Sequence, residues 1–138
     1  MKAVWFLTFL STALVQGKNV DNVVVIPQEF VPAIIKASSE CIEKYNMPAD
    51  TLQKVFDEEL DDSENGKKYL HCLGCDTGYL DVSGNIVKDK VLQIVGPYKK
   101  KVNAVVDECN QIKYSDEFET AYRRIMCFYI KSEIHFKT

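Results

Sequence analysis

The sequence predicts an all-α fold of six short helices, and three observations support this prediction. Alternation of apolar and polar residues, which marks a half-buried strand, is scarce after residue 17. Five cysteines lie within the predicted helices, and ordered cysteines in a short chain are typical of small domains stabilised by disulfides. Apolar residues also recur at the helical spacing i, i+3, i+4, i+7, as in Val102, Val105, Val106 and Cys109.

The helix boundaries follow from apolar stripes and from the polar or proline-containing segments between them. Gly96-Pro97 should stop the fourth helix, and Asp116 with Glu119 resembles a capping box that opens the sixth. The tail contains Ile134 and Phe136, so it is expected to pack against the helices. The predicted helices cover about residues 29–45, 50–60, 67–78, 86–95, 98–112 and 116–131.

The first 17 residues have the pattern of a secretory signal peptide. Lys2 is followed by an apolar run over residues 3–15 and by a small-residue cleavage site that ends at Gly17. The run is too short to span a bilayer. We therefore expect a signal peptide at 1–17, a single domain at 18–138 and an extracellular, secreted protein. An N-terminal anchor or a buried helix is the alternative.

Composition and motifs argue against several classes of function. The net charge is −3, which does not favour nucleic acid or an anionic membrane as a partner. The two histidines, His71 and His135, lie in no Gly-x-Ser-x-Gly or His-Glu-x-x-His motif, and no glycine-rich phosphate loop occurs. We therefore expect no enzyme activity, no cofactor, no metal and no insertion into a membrane.

The positions of the cysteines limit the possible disulfide pairings but do not determine them. Four of them lie on the first, third, fifth and sixth predicted helices, and four cysteines allow three connectivities that spacing alone does not distinguish. The four are Cys41, Cys72, Cys109 and Cys127.

The fifth cysteine, Cys75, forms a Cys-x-x-Cys pair with Cys72. A redox motif would need a βαβ context, and a metal site with His71 would need a second pair of ligands; neither pattern is present. We therefore expect a buried free thiol that packs as a small apolar side chain. Alternative pairing with Cys41 and an intermolecular bridge remain open.

Several segments resemble the insect odorant-binding proteins, the PBP/GOBP family, and the resemblance covers essentially all of the chain after the signal. The family has further cysteines four residues before the one matched by Cys72 and nine before the one matched by Cys127. Lys68 and Phe118 occupy those positions here, so the chain resembles the minus-C subclass. The matching segments are KYLHC at 68–72, GYLD at 78–81, GNI at 84–86, VVDEC at 105–109 and FETAY at 118–122.

The resemblance implies a disulfide pattern. It pairs Cys41 with Cys72 and Cys109 with Cys127, and it leaves Cys75 free. One bridge of the family is missing, so we expect a looser junction between the third and sixth helices. There the alkyl chain of Lys68 can lie along Phe118.

The resemblance also implies an internal hydrophobic cavity between the helices. Positions just after two of the cysteines should line it, together with apolar faces of the last three helices and the tail, although each could equally be ordinary core. The expected ligand-binding residues are Leu73, Gly74, Tyr79, Val91, Ile94, Val95, Val102, Val105, Tyr122, Ile125, Phe128, Tyr129, Ile134 and Phe136.

The function that the resemblance implies is a soluble carrier of small hydrophobic ligands. Odorants, pheromones or similar volatile or lipid-like semiochemicals are the expected ligands, and a membrane receptor and a homodimer are open as partners. The alternatives are a non-chemosensory carrier of lipids, hormones or amines, and a secreted helical interaction protein with a filled interior. A further hypothesis is that protonation of His135 loosens the tail over the pocket mouth.

Overall fold

Six α-helices dominate residues 22–138, the part of the chain that the computed structural model describes. This confirms the predicted all-α class. The predicted signal peptide and its cleavage site lie outside the described residues. Short 3-10 turns span Gln28–Phe30 and Gly96–Tyr98. The helices are α1 (Val31–Tyr45), α2 (Thr51–Phe56), α3 (Glu64–Thr77), α4 (Lys88–Leu92), α5 (Lys99–Cys109) and α6 (Glu117–Ser132).

Local polar groups set the helix ends. The Ser63 hydroxyl accepts a hydrogen bond from the Gly66 amide at 3.0 Å and opens α3. Gly78, with a φ of 84°, closes the same helix in the left-handed conformation that glycine adopts without strain. Asp116 caps α6 by accepting from the amide of Phe118. The predicted capping box does not close, because the Glu119 carboxylate binds Lys67 and Arg123 instead.

The fourth helix is shorter than predicted because its first residues adopt an extended conformation. Ile86 forms an isolated antiparallel bridge with Leu80. The side-chain amide of Asn110 then donates to the Ile86 carbonyl at 3.0 Å, and its oxygen accepts from the Ile86 amide at 2.8 Å. These contacts hold the backbone of Ile86 as a strand partner would, so the helix begins only at Lys88.

The two ends of the described chain meet in a short parallel sheet that the sequence did not predict. Strand β1 (Val23–Val25) pairs with β2 (His135–Lys137), with Val23 opposite His135 and Val25 opposite Lys137. The Ile26 amide extends the ladder by donating to the Lys137 carbonyl at 2.8 Å. The sheet fixes the C-terminal tail against the helices, and the fully buried side chain of Ile134 precedes it.

Two disulfides join neighbouring helices, with the predicted pairing. Cys41–Cys72 links α1 to α3, and Cys109–Cys127 links α5 to α6. Cys41 and Cys109 are fully buried in two different apolar clusters. Each disulfide therefore anchors one of the two clusters that make up the interior.

Non-covalent contacts occupy the α3–α6 junction, where the family pattern would place a third disulfide. Lys67 binds Glu119 across the junction at 2.7 Å, with both side chains about four-fifths buried, and Arg123 binds the same carboxylate at 2.7 Å. The Lys68 ammonium lies 5.7 Å from the centre of the Phe118 ring and also pairs with Glu64. The expected contact between Lys68 and Phe118 is thus present as a cation–π contact.

We expect Glu119→Gln to lower the melting temperature at neutral pH. The hydrogen bond from Lys67, followed by that from Arg123, holds the pKa of Glu119 below its usual value. Stabilisation from a lowered carboxyl pKa is complete above the pKa of the unfolded chain and is lost as the pH falls through the folded one. The difference in melting temperature between wild type and variant should therefore shrink between about pH 5 and pH 3.

The matched control for this prediction is Glu64→Gln. Glu64 is exposed and pairs with Lys68 within a single helix, so its loss should change the melting temperature little. Differential scanning calorimetry across the pH range compares the two variants. A Glu119→Gln difference that does not depend on pH would contradict a role for the ionised carboxylate.

Candidate ligand-binding pocket

An apolar cavity of about 160 Å³ lies between the helices and is partly open to the surface. A dry cavity of about 150 Å³ in a protein core can hold benzene, so this cavity has the volume for a small apolar molecule. Longer ligands would have to widen it or extend through the opening. The lining residues are Ile26, Ile34, Leu52, Val55, Phe56, Leu70, Leu73, Gly74, Thr77, Tyr79, Leu80, Ile86, Val91, Ile94, Ile125, Phe128, Tyr129 and Phe136.

Five helices contribute to the pocket lining, and three of them contribute a group of side chains each, beside Ile34 of α1 and Val91 of α4. Residues three and four apart lie on the same side of a helix, so each helix presents a compact group of side chains. Helix α2 contributes Leu52, Val55 and Phe56; α3 contributes Leu70, Leu73, Gly74 and Thr77; and α6 contributes Ile125, Phe128 and Tyr129.

The β1–β2 sheet supplies the wall that the helices leave open. Ile26 follows β1 and lines the pocket, as does Phe136 at the centre of β2. The Phe136 ring stacks on Phe128 with centroids 6.2 Å apart and an angle of 8°, and it meets Tyr129 edge to face at 6.4 Å. These ring contacts attach the C-terminal strand to α6.

Gly74 allows α3 to approach the segment that follows it. A Cβ atom at this position would lie 2.5 Å from the Leu80 side chain, which real contacts do not permit. The Leu80 amide also donates to the Gly74 carbonyl at 3.0 Å. The missing side chain lets Leu80 cover the helix and form part of the pocket wall.

The pocket contains few polar atoms, and they come from three side chains. The Thr77 hydroxyl donates to the Leu73 carbonyl at 2.7 Å, so it is already satisfied. Tyr79 and Tyr129 bring phenol groups to the lining. Burial raises the pKa of both phenols, and the shift is largest for Tyr129, where the nearby Glu58 carboxylate adds to it. Both phenols are therefore neutral at physiological pH.

One polar contact connects two walls of the pocket. His135 on β2 and Glu58, just after α2, contact each other through Nδ1 and Oε2 at 2.5 Å. Glu58 has a φ of 62°, a left-handed conformation that is uncommon for glutamate. The contact joins the C-terminal strand to the turn after α2. The hypothesis that protonation of His135 loosens the tail stays a prediction.

The sequence and the fold point to one family. A model of the PBP/GOBP family matches residues 26–131, which include both disulfides. The chain belongs to the PBP/GOBP family. No curated protein sequence is significantly similar to the chain.

Solved odorant-binding proteins resemble this PBP/GOBP chain. Odorant binding protein 7 from Anopheles gambiae, which has four disulfide bridges and was solved with an azo compound, is 26% identical with a TM-score of 0.61; the match covers 76% of this chain and 87% of that one. Fatty acid binding protein OBP56a from the oral disk of the blowfly Phormia regina is 21% identical, with a TM-score of 0.64 and coverage of 78% and 96%. Drosophila melanogaster OBP28a is 20% identical, with a TM-score of 0.64 and coverage of 77% and 94%. The last two show the fold alone.

The structure brings most of the side chains expected from the PBP/GOBP resemblance to one cavity, although no ligand contact tests them. Val95, Val102 and Ile134 are instead fully buried in the packed core beside the pocket. Val105 packs against the same core, and the Tyr122 ring lies under the Lys67 ammonium at 5.2 Å. The predicted residues that line the cavity are Leu73, Gly74, Tyr79, Val91, Ile94, Ile125, Phe128, Tyr129 and Phe136.

Sequence reasoning missed the other half of the pocket lining. The spacing of Leu52, Val55 and Phe56 is a helical-face signal that could have identified α2 as a wall. Ile34 lies on the buried helical stripe of α1, whereas Ile26 carries no local signal, because its place depends on how the chain end packs. The missed lining residues are Ile26, Ile34, Leu52, Val55, Phe56, Leu70, Thr77, Leu80 and Ile86.

Cys75 is a free thiol, as predicted, but it is only half-buried, packed against the apolar cluster that contains Cys109. Its Sγ donates to the Asp81 carbonyl at 3.5 Å. Burial, followed by the charges of Asp76 and Asp81, raises the pKa of the thiol, so the reactive thiolate is disfavoured. A metal site with His71 is ruled out in this oxidised state, because Cys72 is bonded to Cys41.

No helix in the described part of this PBP/GOBP chain is long and apolar enough to cross a membrane.

Proposed function

We propose that this chain is a secreted, soluble carrier that binds small hydrophobic ligands, such as odorants or pheromones, in the apolar pocket. The observation that carries the proposal is the cavity itself, which is lined by residues of five helices and of the short sheet. Membership of the PBP/GOBP family supports a carrier in place of an enzyme. The signal-peptide pattern supports secretion, and the two disulfides fit the minus-C subclass.

One solved relative supports the chemical class of the ligand. Anopheles gambiae odorant binding protein 7, which is 26% identical, was solved with an azo compound. In this chain, apolar contacts dominate the lining, and such contacts are not directional. We therefore expect graded preference by size and shape, with micromolar affinities. The alternative of a helical interaction protein with a filled interior is disfavoured by the cavity.

A pair of tryptophan variants on α6 tests the proposal. Ile125 lines the pocket, whereas Ile130 on the same helix is 67% exposed. An indole ring at position 125 would occupy the space meant for a ligand. We expect Ile125→Trp to weaken binding of N-phenyl-1-naphthylamine by at least about tenfold, and Ile130→Trp to leave it unchanged.

The measurement is a fluorescence titration of the mature protein, with native mass spectrometry to count bound molecules. Cleavage of the predicted signal removes Trp5, the native tryptophan, so emission of the new indole reports its own environment. The emission maximum of the indole should be blue-shifted in Ile125→Trp and should stay near that of exposed tryptophan in Ile130→Trp. A wild-type protein that binds neither the probe nor a copurified lipophile would refute the carrier function.

A further inference from the structure

The pocket holds two hydroxyl groups that lack a hydrogen-bond partner within residues 22–138, those of Tyr79 and Tyr129. The same part of the structure has no fully buried side-chain nitrogen or oxygen without a partner. Each phenol oxygen therefore retains accessible surface, and both residues line the cavity. A ligand atom in the cavity can use that surface to hydrogen-bond with a phenol.

Tyr129 is the better placed of the two phenols. Its ring lies on the inner face of α6 and contacts Phe128 and Phe136 edge to face. Tyr79 has the Lys90 ammonium 5.5 Å from its ring centre, which places it towards the charged exterior. Burial raises the pKa of Tyr129 more than that of Tyr79, in agreement with this difference in depth.

The charges near Tyr129 decide which ligand oxygen fits. Within residues 22–138, none of the lining side chains is a lysine, arginine or histidine. The charged group that acts on Tyr129 is the carboxylate of Glu58, and its neighbour His135 is already bonded to that carboxylate. An ionised carboxylate that entered beside Tyr129 would lose its hydration, find no cation among the described lining side chains and face a second negative charge.

We propose that the pocket selects neutral ligands that carry an alcohol, ester or carbonyl oxygen over ionised carboxylates, with the Tyr129 hydroxyl bonded to that oxygen. This inference rests on the proposed carrier function and specifies its ligand class. The phenol donates to a carbonyl or ether oxygen, and it can accept from an alcohol. Tyr129 is thus assigned as a specificity-determining residue.

The first test compares ligands of equal chain length. Octan-1-ol, methyl octanoate and sodium octanoate compete with N-phenyl-1-naphthylamine for the wild-type protein at pH 7.5. We expect the alcohol and the ester to displace the probe at concentrations at least about tenfold lower than octanoate. Below about pH 5 octanoate becomes protonated, so the difference between the concentrations of octanoate and octan-1-ol that displace the probe should become smaller.

The second test removes the hydroxyl and keeps the ring. Tyr129→Phe should weaken octan-1-ol binding about fivefold, and it should leave displacement by octane, which has no oxygen, unchanged. Tyr79→Phe is the matched control, and it should lower the affinity for octan-1-ol less than Tyr129→Phe does. Circular dichroism of both variants confirms that the fold is retained.

The outcomes separate the two proposals. If octanoate competes as well as octan-1-ol, or if Tyr129→Phe binds the alcohol as wild type does, the selectivity proposal is overturned while the carrier function stands. If Tyr79→Phe loses more affinity for octan-1-ol than Tyr129→Phe does, the assignment of Tyr129 as the specificity-determining residue is overturned. If the probe and all three ligands fail to bind wild-type protein, both proposals fall together.

Discussion

Replacing Cys41 and Cys72 together with alanine should lower the free energy of unfolding by about 3.7 kcal/mol, the chain-entropy value for a separation of 31 residues. The bridge ties α1 to α3, and the junction of α3 with α6 has only non-covalent contacts at the position of a third family bridge. The loss is therefore a large part of the total stability expected for a domain of this size. Urea unfolding followed by circular dichroism at 222 nm measures it.

Two further variants serve as controls for this loss of stability. The matched double variant Cys109→Ala, Cys127→Ala removes a disulfide between cysteines 18 residues apart. Its loss should lower the free energy of unfolding by about 3.2 kcal/mol. Cys75→Ala removes a thiol that forms no bridge, and it should cost less than about 1.5 kcal/mol. A loss in the Cys41, Cys72 variant no larger than that of Cys75→Ala would show that the bridge does not stabilise the fold.

The second large effect is expected from Phe128→Ala. The ring is buried in the pocket wall, stacks on Phe136 and meets Tyr129 edge to face. Its removal should lower the free energy of unfolding by about 3–5 kcal/mol. It should also weaken probe binding at least about tenfold, because the C-terminal strand loses its main contact with α6 and the pocket loses a wall.

Phe128→Leu is the control, since it keeps an apolar side chain at the site. It should recover more than half of the lost stability, and its probe affinity should lie between those of the wild type and of Phe128→Ala. Binding is measured at low temperature, where circular dichroism shows each variant folded. An alanine variant with unchanged affinity for the probe would contradict the place of Phe128 in the pocket.

The features that the sequence predicted well are those with local causes. The helical spacing of Val102, Val106 and Cys109 depends only on residues within two turns, and these three are buried as that spacing indicates. The disulfide partners were not a local property. They followed from the family resemblance, and the structure has the same pairing.

The features that the sequence did not predict depend on distant residues. Strands of three residues, Val23–Val25 and His135–Lys137, are too short to show alternation, and each is ordered by the other. Burial alone did not separate core from cavity wall either. Val102 and Val91 are both buried apolar residues, yet only Val91 lies at the cavity. That difference depends on how the helices pack around each residue.

The short sheet affects the stage of folding at which the pocket can hold a ligand. Strand β2 is the last element of the chain, and its partner β1 is the first in the described part. Because β2 follows all six helices of the described part and carries Phe136, the pocket stays open on one side until β2 has paired with β1. Stable binding must therefore follow the folding of the helices, and a chain truncated before residue 135 should retain no lipophile.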